Sequence, residues 1–292
     1  MQAFLHFSSS KPALPFESFV KDVAAQTGGH DLHILSRSEI IGQAAFFKIN
    51  EPVDSERYRA AGDAIGIDVN LLHSAPHVKK LMLCDMDSTI ITSESLDHIA
   101  ELAGISEAVK PITARAMAGE IDFSQALIER LAMLKGAPAS LLDDIVRNTH
   151  LFDGARELVA TMRAQDATCL LVSGGFTFLT QHIKETLDFH AHYANELAVT
   201  GDQLDGYTNP PILDSSAKVR VLNEYCERLG LTHQDAICMG DGANDIPMLQ
   251  TAGLGIAWQG KPLVRETITT QLNHSSLCGA LFLQGISETD IK

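Results

Sequence analysis

Two aspartates, Asp85 and Asp87, follow the apolar run Leu81-Met82-Leu83-Cys84 with one residue between them. In an extended continuation both carboxylates project the same way and converge on one site. Such a pair is costly unless a cation or a proton compensates it. Ser88-Thr89, read as the start of a helix, would add backbone N–H donors for an anion. A further acidic cluster, Gly240-Asp241-Gly242-Ala243-Asn244-Asp245, follows another apolar run. Three convergent carboxylates imply Mg²⁺, a hard cation that prefers oxygen ligands. Ser173-Gly174-Gly175-Phe176 ends a third run and would bring a hydroxyl and free amides to the same crevice. Lys218, beginning a helical pattern, adds a point charge. Together these groups suit a transferring phosphoryl, whose transition state spreads negative charge over its equatorial oxygens. Singly each has a plainer explanation: a capped turn, a loop, a solvated lysine. Their ordered recurrence at the ends of successive strands favours chemistry over that explanation.

The elements that must position these residues read as α/β. Leu81 to Asp85, Thr168 to Ser173, Ala236 to Gly240 and Leu254 to Trp258 are short apolar runs that alternate with helical patterns. That alternation predicts a parallel sheet covered on both faces, with ligands beyond the carboxyl ends of its strands. Only helical patterns occupy about 92–151, including Ser95 to Ala103, Phe123 to Leu134 and Ala139 to Arg147, more chain than a crossover needs. This stretch is expected to be a cap that closes over substrate. Gly201-Asp202, between two short alternating segments within Leu197 to Tyr207, predicts a β-hairpin. Before the core, Gln2 to about His73 has the order β-α-β-β-α-β, which is ferredoxin-like. Ser74-Ala75-Pro76-His77 reads as a linker. The expected division is therefore 1–76 and 77–292.

The ordered set Asp85-Met86-Asp87-Ser88-Thr89, Ser173, Lys218 and Gly240 to Asp245 resembles the haloacid dehalogenase (HAD) superfamily of phosphohydrolases. The resemblance runs from about Lys79 to Gln284, cap included. It implies a Rossmann-like core in which Asp85 attacks phosphorus while Asp87 serves as general acid and then base. It also implies Mg²⁺ held by the Asp85 carboxylate, the Asp87 backbone carbonyl and Asp241, with Asp245 supporting them. Glu94, the cap and Ser173-Gly174-Gly175-Phe176 are similar to the branch that hydrolyses O-phosphoserine in the last step of serine biosynthesis. By that likeness Glu94 binds the substrate ammonium and Arg130 its carboxylate, while Ser173, Gly174, Lys218 and Asn244 surround the phosphate. Phe123 and Met117 would line the apolar side of the cap. The amino-terminal order resembles amino-acid-sensing (ACT-like) modules, which makes a homodimer through that unit an expectation.

A formal charge of −15 repels nucleic acid and anionic lipid, and there is no basic stripe to offset it. No run could span a bilayer and no leader is evident, so a cytoplasmic location is expected. Five cysteines, an odd number without zinc-ligand spacing, read as buried hydrophobes in a reducing compartment. His190-Ala191-His192 lacks a third metal ligand, and the glycines near Gly253 complete no nucleotide fingerprint. Two rival functions stand beside the resemblance: action on another small phosphomonoester or acceptor, and an amino-acid-binding regulator with an inactive core.

Overall fold

The computed structural model describes residues 3–10, 15–117 and 120–292, without side-chain detail at Met117. The chain begins with β1 (Ala3–Ser9), α1 (Phe16–Thr27), β2 (His30–Ser38), β3 (Gly42–Ile49), α2 (Ser55–Asp63) and β4 (Asp68–Leu72). These four strands form an antiparallel sheet in the order β2-β3-β1-β4, the ferredoxin-like arrangement. Period two divides its faces. Leu5 and Phe7 pack with Val20, Val23 and Tyr58 of the two helices, whereas Phe4, His6 and Ser8 are buried on the opposite side.

No regular element spans residues 73–80. The core then runs through β5 (Leu81–Cys84), α3 (Ser95–Leu102), α4 (Ser106–Met117), α5 (Phe123–Ala132), α6 (Ser140–Asn148), α7 (Ala155–Ala164), β6 (Thr168–Phe176) and α8 (Thr177–Leu187). It continues through β7 (Ala191–Thr200), β8 (Gln203–Asn209), α9 (Ser215–Leu229), β9 (Ala236–Gly240), α10 (Ile246–Thr251) and β10 (Leu254–Trp258). The last elements are α11 (Pro262–Thr267), β11 (Gln271–Leu272) and α12 (Gly279–Phe282). The sheet order is β11-β10-β9-β5-β6-β7-β8. Its pairings are parallel except the β7–β8 hairpin, which turns at Gly201-Asp202.

Alternation again sorts the core. Met82, Cys84, Leu171, Ile237 and Met239 enter one hydrophobic layer, while Leu81, Leu83, Leu170, Val172 and Cys238 enter the other. Both faces being apolar explains why these runs read as unbroken hydrophobic strands. Helices α3 to α6 lie between β5 and β6 in sequence, and the five cysteines are all free and buried. Among the described residues no helix is long and apolar enough to cross a membrane.

The back of the amino-terminal sheet is covered by the carboxyl-terminal part of the core. Asn70 donates from Nδ2 to the Gln271 carbonyl and accepts from the Gln271 N–H, both at 2.8 Å, so its amide acts as a strand partner for β11. Asp68 accepts from the backbone N–H groups of Asn273, His274 and Ser275 and from Ser275 Oγ. Ala44 and Leu35 pack on Phe282 and Cys278.

Candidate active site

Asp85 leaves β5 with its N–H donating to the Met239 carbonyl, which fixes it across from the end of β9. Its Oδ1 accepts from the Met86 N–H at 2.8 Å and lies 3.0 Å from Lys218 Nζ. Burial, and then the neighbouring Asp245 charge, push the Asp85 carboxyl up to about 7, against the pull of Lys218. Lys218 is fully buried on the first turn of α9 and also meets Asp245 Oδ1 at 2.5 Å. Burial opposes its charge, but Asp245 and Asp85 outweigh that and raise it above the ordinary lysine range. The second Asp245 oxygen accepts from the Gly242 N–H at 3.0 Å, so both its oxygens are engaged.

Asp87 differs from Asp85 in its partners. Ser95 Oγ donates to its Oδ2 at 2.7 Å, while among the described residues the buried Oδ1 has no hydrogen-bond partner. Burial and then the Glu94 charge push its carboxyl well above the usual range. Such a group holds a proton at neutral pH and presents it at one oxygen.

The chain between the two acids and the cap is not helical. Residues 87–90 form a turn, Ser88 has a φ of 53°, and the Ser88 and Thr89 N–H groups bond to Ser93 and Met86 carbonyls. The helix expected at Ser88-Thr89 is thus replaced by a turn whose donors are already used. Ser88 instead sends its hydroxyl to Glu94 Oε1 at 3.0 Å. The Gly175 N–H, expected to be free, donates to Ser173 Oγ at 2.9 Å. Ser173 to Phe176 closes β6, as expected, and α8 follows directly.

Asp85, Asp87, Glu94, Phe123, Arg130, Ser173, Gly174, Asp241 and Asn244 line one cavity of about 520 Å³ between the strand ends and α3 to α5. Arg130 is mostly buried, with Nη1 3.9 Å from Asp97 and Nε donating to the Ala126 carbonyl. It therefore faces the cavity rather than a solvated helix surface. Burial lowers its guanidinium from the ordinary value, countered by Asp97 and Glu94. A side chain at Gly175 would put Cβ 2.7 Å from Asp87 Oδ2, and one at Gly174 would put it 3.0 Å from the Phe123 ring. Met117 Sδ and the rest of its side chain lie outside the described residues.

Oxygens of Asp85, Asp241 and Asp245 lie within 4.8 Å of one another, and this all-carboxylate donor set fits a hard divalent cation. Lys261, which the motifs did not flag, joins Asp241 Oδ2 at 3.0 Å to Glu94 Oε1 at 3.2 Å. Its one signal in the sequence is its place just after the fourth buried strand. Ser95 was missed too, since serine before a helix reads as a cap. His190 and His192 take separate partners, the Cys169 N–H and Thr180 Oγ1.

Residues 82–250 match the profile of haloacid dehalogenase-like hydrolases. The chain belongs to that family. A phosphoserine phosphatase from Archaeoglobus fulgidus is 34% identical over 226 residues, which are 77% of this chain and 66% of that protein. A HAD family hydrolase from Salmonella enterica serovar Typhi superposes with a TM-score of 0.86 at 27% identity, covering 97% of this chain and 98% of its own. A structure of a phospho-aspartyl intermediate analogue of phosphoserine phosphatase is 35% identical with a TM-score of 0.66, covering 70% of this chain and 98% of its own.

Proposed function

We propose that the protein is a Mg²⁺-dependent phosphoserine phosphatase that works through a phosphoaspartate on Asp85. The observation that carries this reading is the asymmetry of the acid pair: Asp85 is held by Lys218 at 3.0 Å, whereas Asp87 keeps one unpartnered oxygen beside it. In the first step an Asp85 oxygen forms a bond to phosphorus as the bond to the serine oxygen breaks, and Asp87 gives that oxygen its proton. In the second, Asp87 takes a proton from water, which attacks phosphorus and releases phosphate from Asp85. Asp85, the Asp87 carbonyl and Asp241 would hold Mg²⁺, which neutralises phosphate charge when bound. Asp245, with both oxygens engaged, positions Lys218 and the Gly242 loop instead of serving as a free ligand.

Phosphate recognition falls to Ser173, Gly174, Lys218 and Asn244. Substrate choice falls to Glu94 for the ammonium and Arg130 for the carboxylate, because these are an anion and a donor fork on the walls of one cavity. The unit 1–76 is a ferredoxin-like, ACT-like domain, and 77–292 is the catalytic domain with its cap at about 92–151. A homodimer through the amino-terminal domain would use its helices or the β2 edge, since the back of its sheet is covered. On this reading the enzyme serves serine biosynthesis, and a cytoplasmic location is what we propose for it.

Arg130→Ala tests the substrate. It should raise KM for O-phospho-L-serine roughly 10- to 100-fold, the worth of a hydrogen bond to a charged group. An ester lacking the carboxylate should be nearly unaffected. Equal effects on both would favour another small phosphomonoester.

A further inference from the structure

A second cavity, of about 460 Å³, lies at the junction of the two sheets. Its walls are the end of β4 with the linker that follows it to Lys79, the turn from α10 into β10, and residues 267–270 before β11. Its composition is unlike that of the protein. One residue in eight of the chain is acidic, 37 of 292, yet none of the residues lining this cavity is Asp or Glu. The cavities beside the cap and beside α2 include Glu101 and Glu51. The junction cavity instead has Lys79, His73 and His77, with Thr269 and Thr270 beside them, while the Thr267 hydroxyl is spent on the Leu263 carbonyl.

Lys79 is 4% exposed. Its Nζ donates to the Gln234 carbonyl at 2.7 Å and lies 2.8 Å from His77 Nε2, and both those residues line the cavity. An ammonium has three donors, and among the described residues no carboxylate lies within 4.0 Å of this one. The acid within electrostatic range, Asp235, is committed to the Thr232 N–H and hydroxyl at 2.8 and 2.7 Å. Burial lowers this ammonium from the ordinary lysine range, and the Asp235 charge offsets only part of that cost. Nothing in the reaction uses it.

We propose that the junction cavity binds a small oxyanion, seated on Lys79 and the surrounding hydroxyls. The lining also limits the class. A free amino acid brings an ammonium that would find no anion here and would meet Lys79, so ligands without an ammonium are favoured. The occupant would touch linker and core at once and stabilise their junction by mass action.

The test is calorimetric titration of the full, metal-free chain at low salt with malonate, inorganic phosphate and L-serine. The catalytic cavity also carries anion-binding groups, Arg130 and Ser173, so the heat is assigned to the junction by its loss in Lys79→Met and its persistence in Arg130→Ala. Malonate and phosphate should saturate with a Kd of about 1 mM or below, and L-serine should not bind. Binding of malonate alone would narrow the class to carboxylates, and of phosphate alone to phosphates. Ser74 is an exposed wall residue, so Ser74→Glu should weaken binding roughly fivefold and Ser74→Lys should tighten it. Lys79→Met should abolish binding, whereas Arg130→Ala, in the catalytic cavity, should leave it unchanged. Absence of saturation by either anion, equal binding to the two Ser74 variants, L-serine binding as well as malonate, or loss of binding in Arg130→Ala would each overturn the proposal.

Discussion

Asp68 and Asp87 are both acids whose carboxyls burial raises, yet their surroundings are opposites. Asp68, at the junction, accepts from three backbone N–H groups and a serine hydroxyl. Asp87, at the strand ends, takes its donors from Ser95 alone and, among the described residues, keeps one bare oxygen. A carboxylate surrounded by donors holds two pieces of chain together and has no lone pair left for a reaction. One left half-satisfied costs stability and retains a proton to give. The same side chain is therefore a clamp in one place and a reagent in the other, and the donor count decides which.

The largest expected effect tests the reagent side. Asp85→Asn should lower phosphate release from O-phospho-L-serine by about 10⁴-fold or more, since the nucleophile is lost. Its thermal midpoint should stay at or above that of wild type, because an uncharged amide relieves the repulsion from Asp245. Substantial turnover by this variant would remove Asp85 from the mechanism. Asp68→Ala should do the reverse, costing about 3 kcal/mol in urea denaturation because several buried N–H groups lose their acceptor. Its kcat should be nearly unchanged. A large kcat loss at equal folded fraction would erase the distinction between clamp and reagent.

A smaller effect concerns pH at the same junction. His6 is fully buried on the back of β1, and burial pushes its imidazole down to about 3, with the Phe282 backbone pulling the other way. The folded value lies below the unfolded value of about 6.5, so the unfolded chain binds the proton more readily. The neutral His6 therefore contributes fully above pH 6.5, and stability falls as pH drops from there toward 3, by about 1.4 kcal/mol per unit. His6→Leu should lose that part of the slope between pH 6 and 4. An unchanged difference between variant and wild type across that window would refute it. The smallest effect lies where cap meets core. Gly174→Ala sets a Cβ 3.0 Å from the Phe123 ring and should raise KM a few-fold at most. Pairing it with Phe123→Leu should restore the value, and no restoration would mean the two surfaces do not press on each other.

The strand ends were legible in the sequence because three buried runs each finish in groups that make sense only together. Glu94 and Arg130 were legible only through the family resemblance, since a helix-face arginine has the same local pattern wherever it points. Lys261 was hidden for the same reason, a lysine after a strand being usually solvated. The turn at Ser88 defeated a local reading because Asp-Ser-Thr is an ordinary helix opening. It takes its conformation from bonds to Met86 and Ser93 instead. The junction was wholly illegible, since Asn70 finds its partner 201 residues away and neither segment carries a periodic signal for the other.

That separation has a consequence in time. The amino-terminal sheet leaves the ribosome early, but the segment that covers its back, from Gln271 to Phe282, is made about 200 residues later. At roughly 5–20 residues per second the wait is on the order of 10 to 40 seconds. Throughout that interval Phe4, Ala44 and Leu72 lack the carboxyl-terminal residues that bury them in the finished fold.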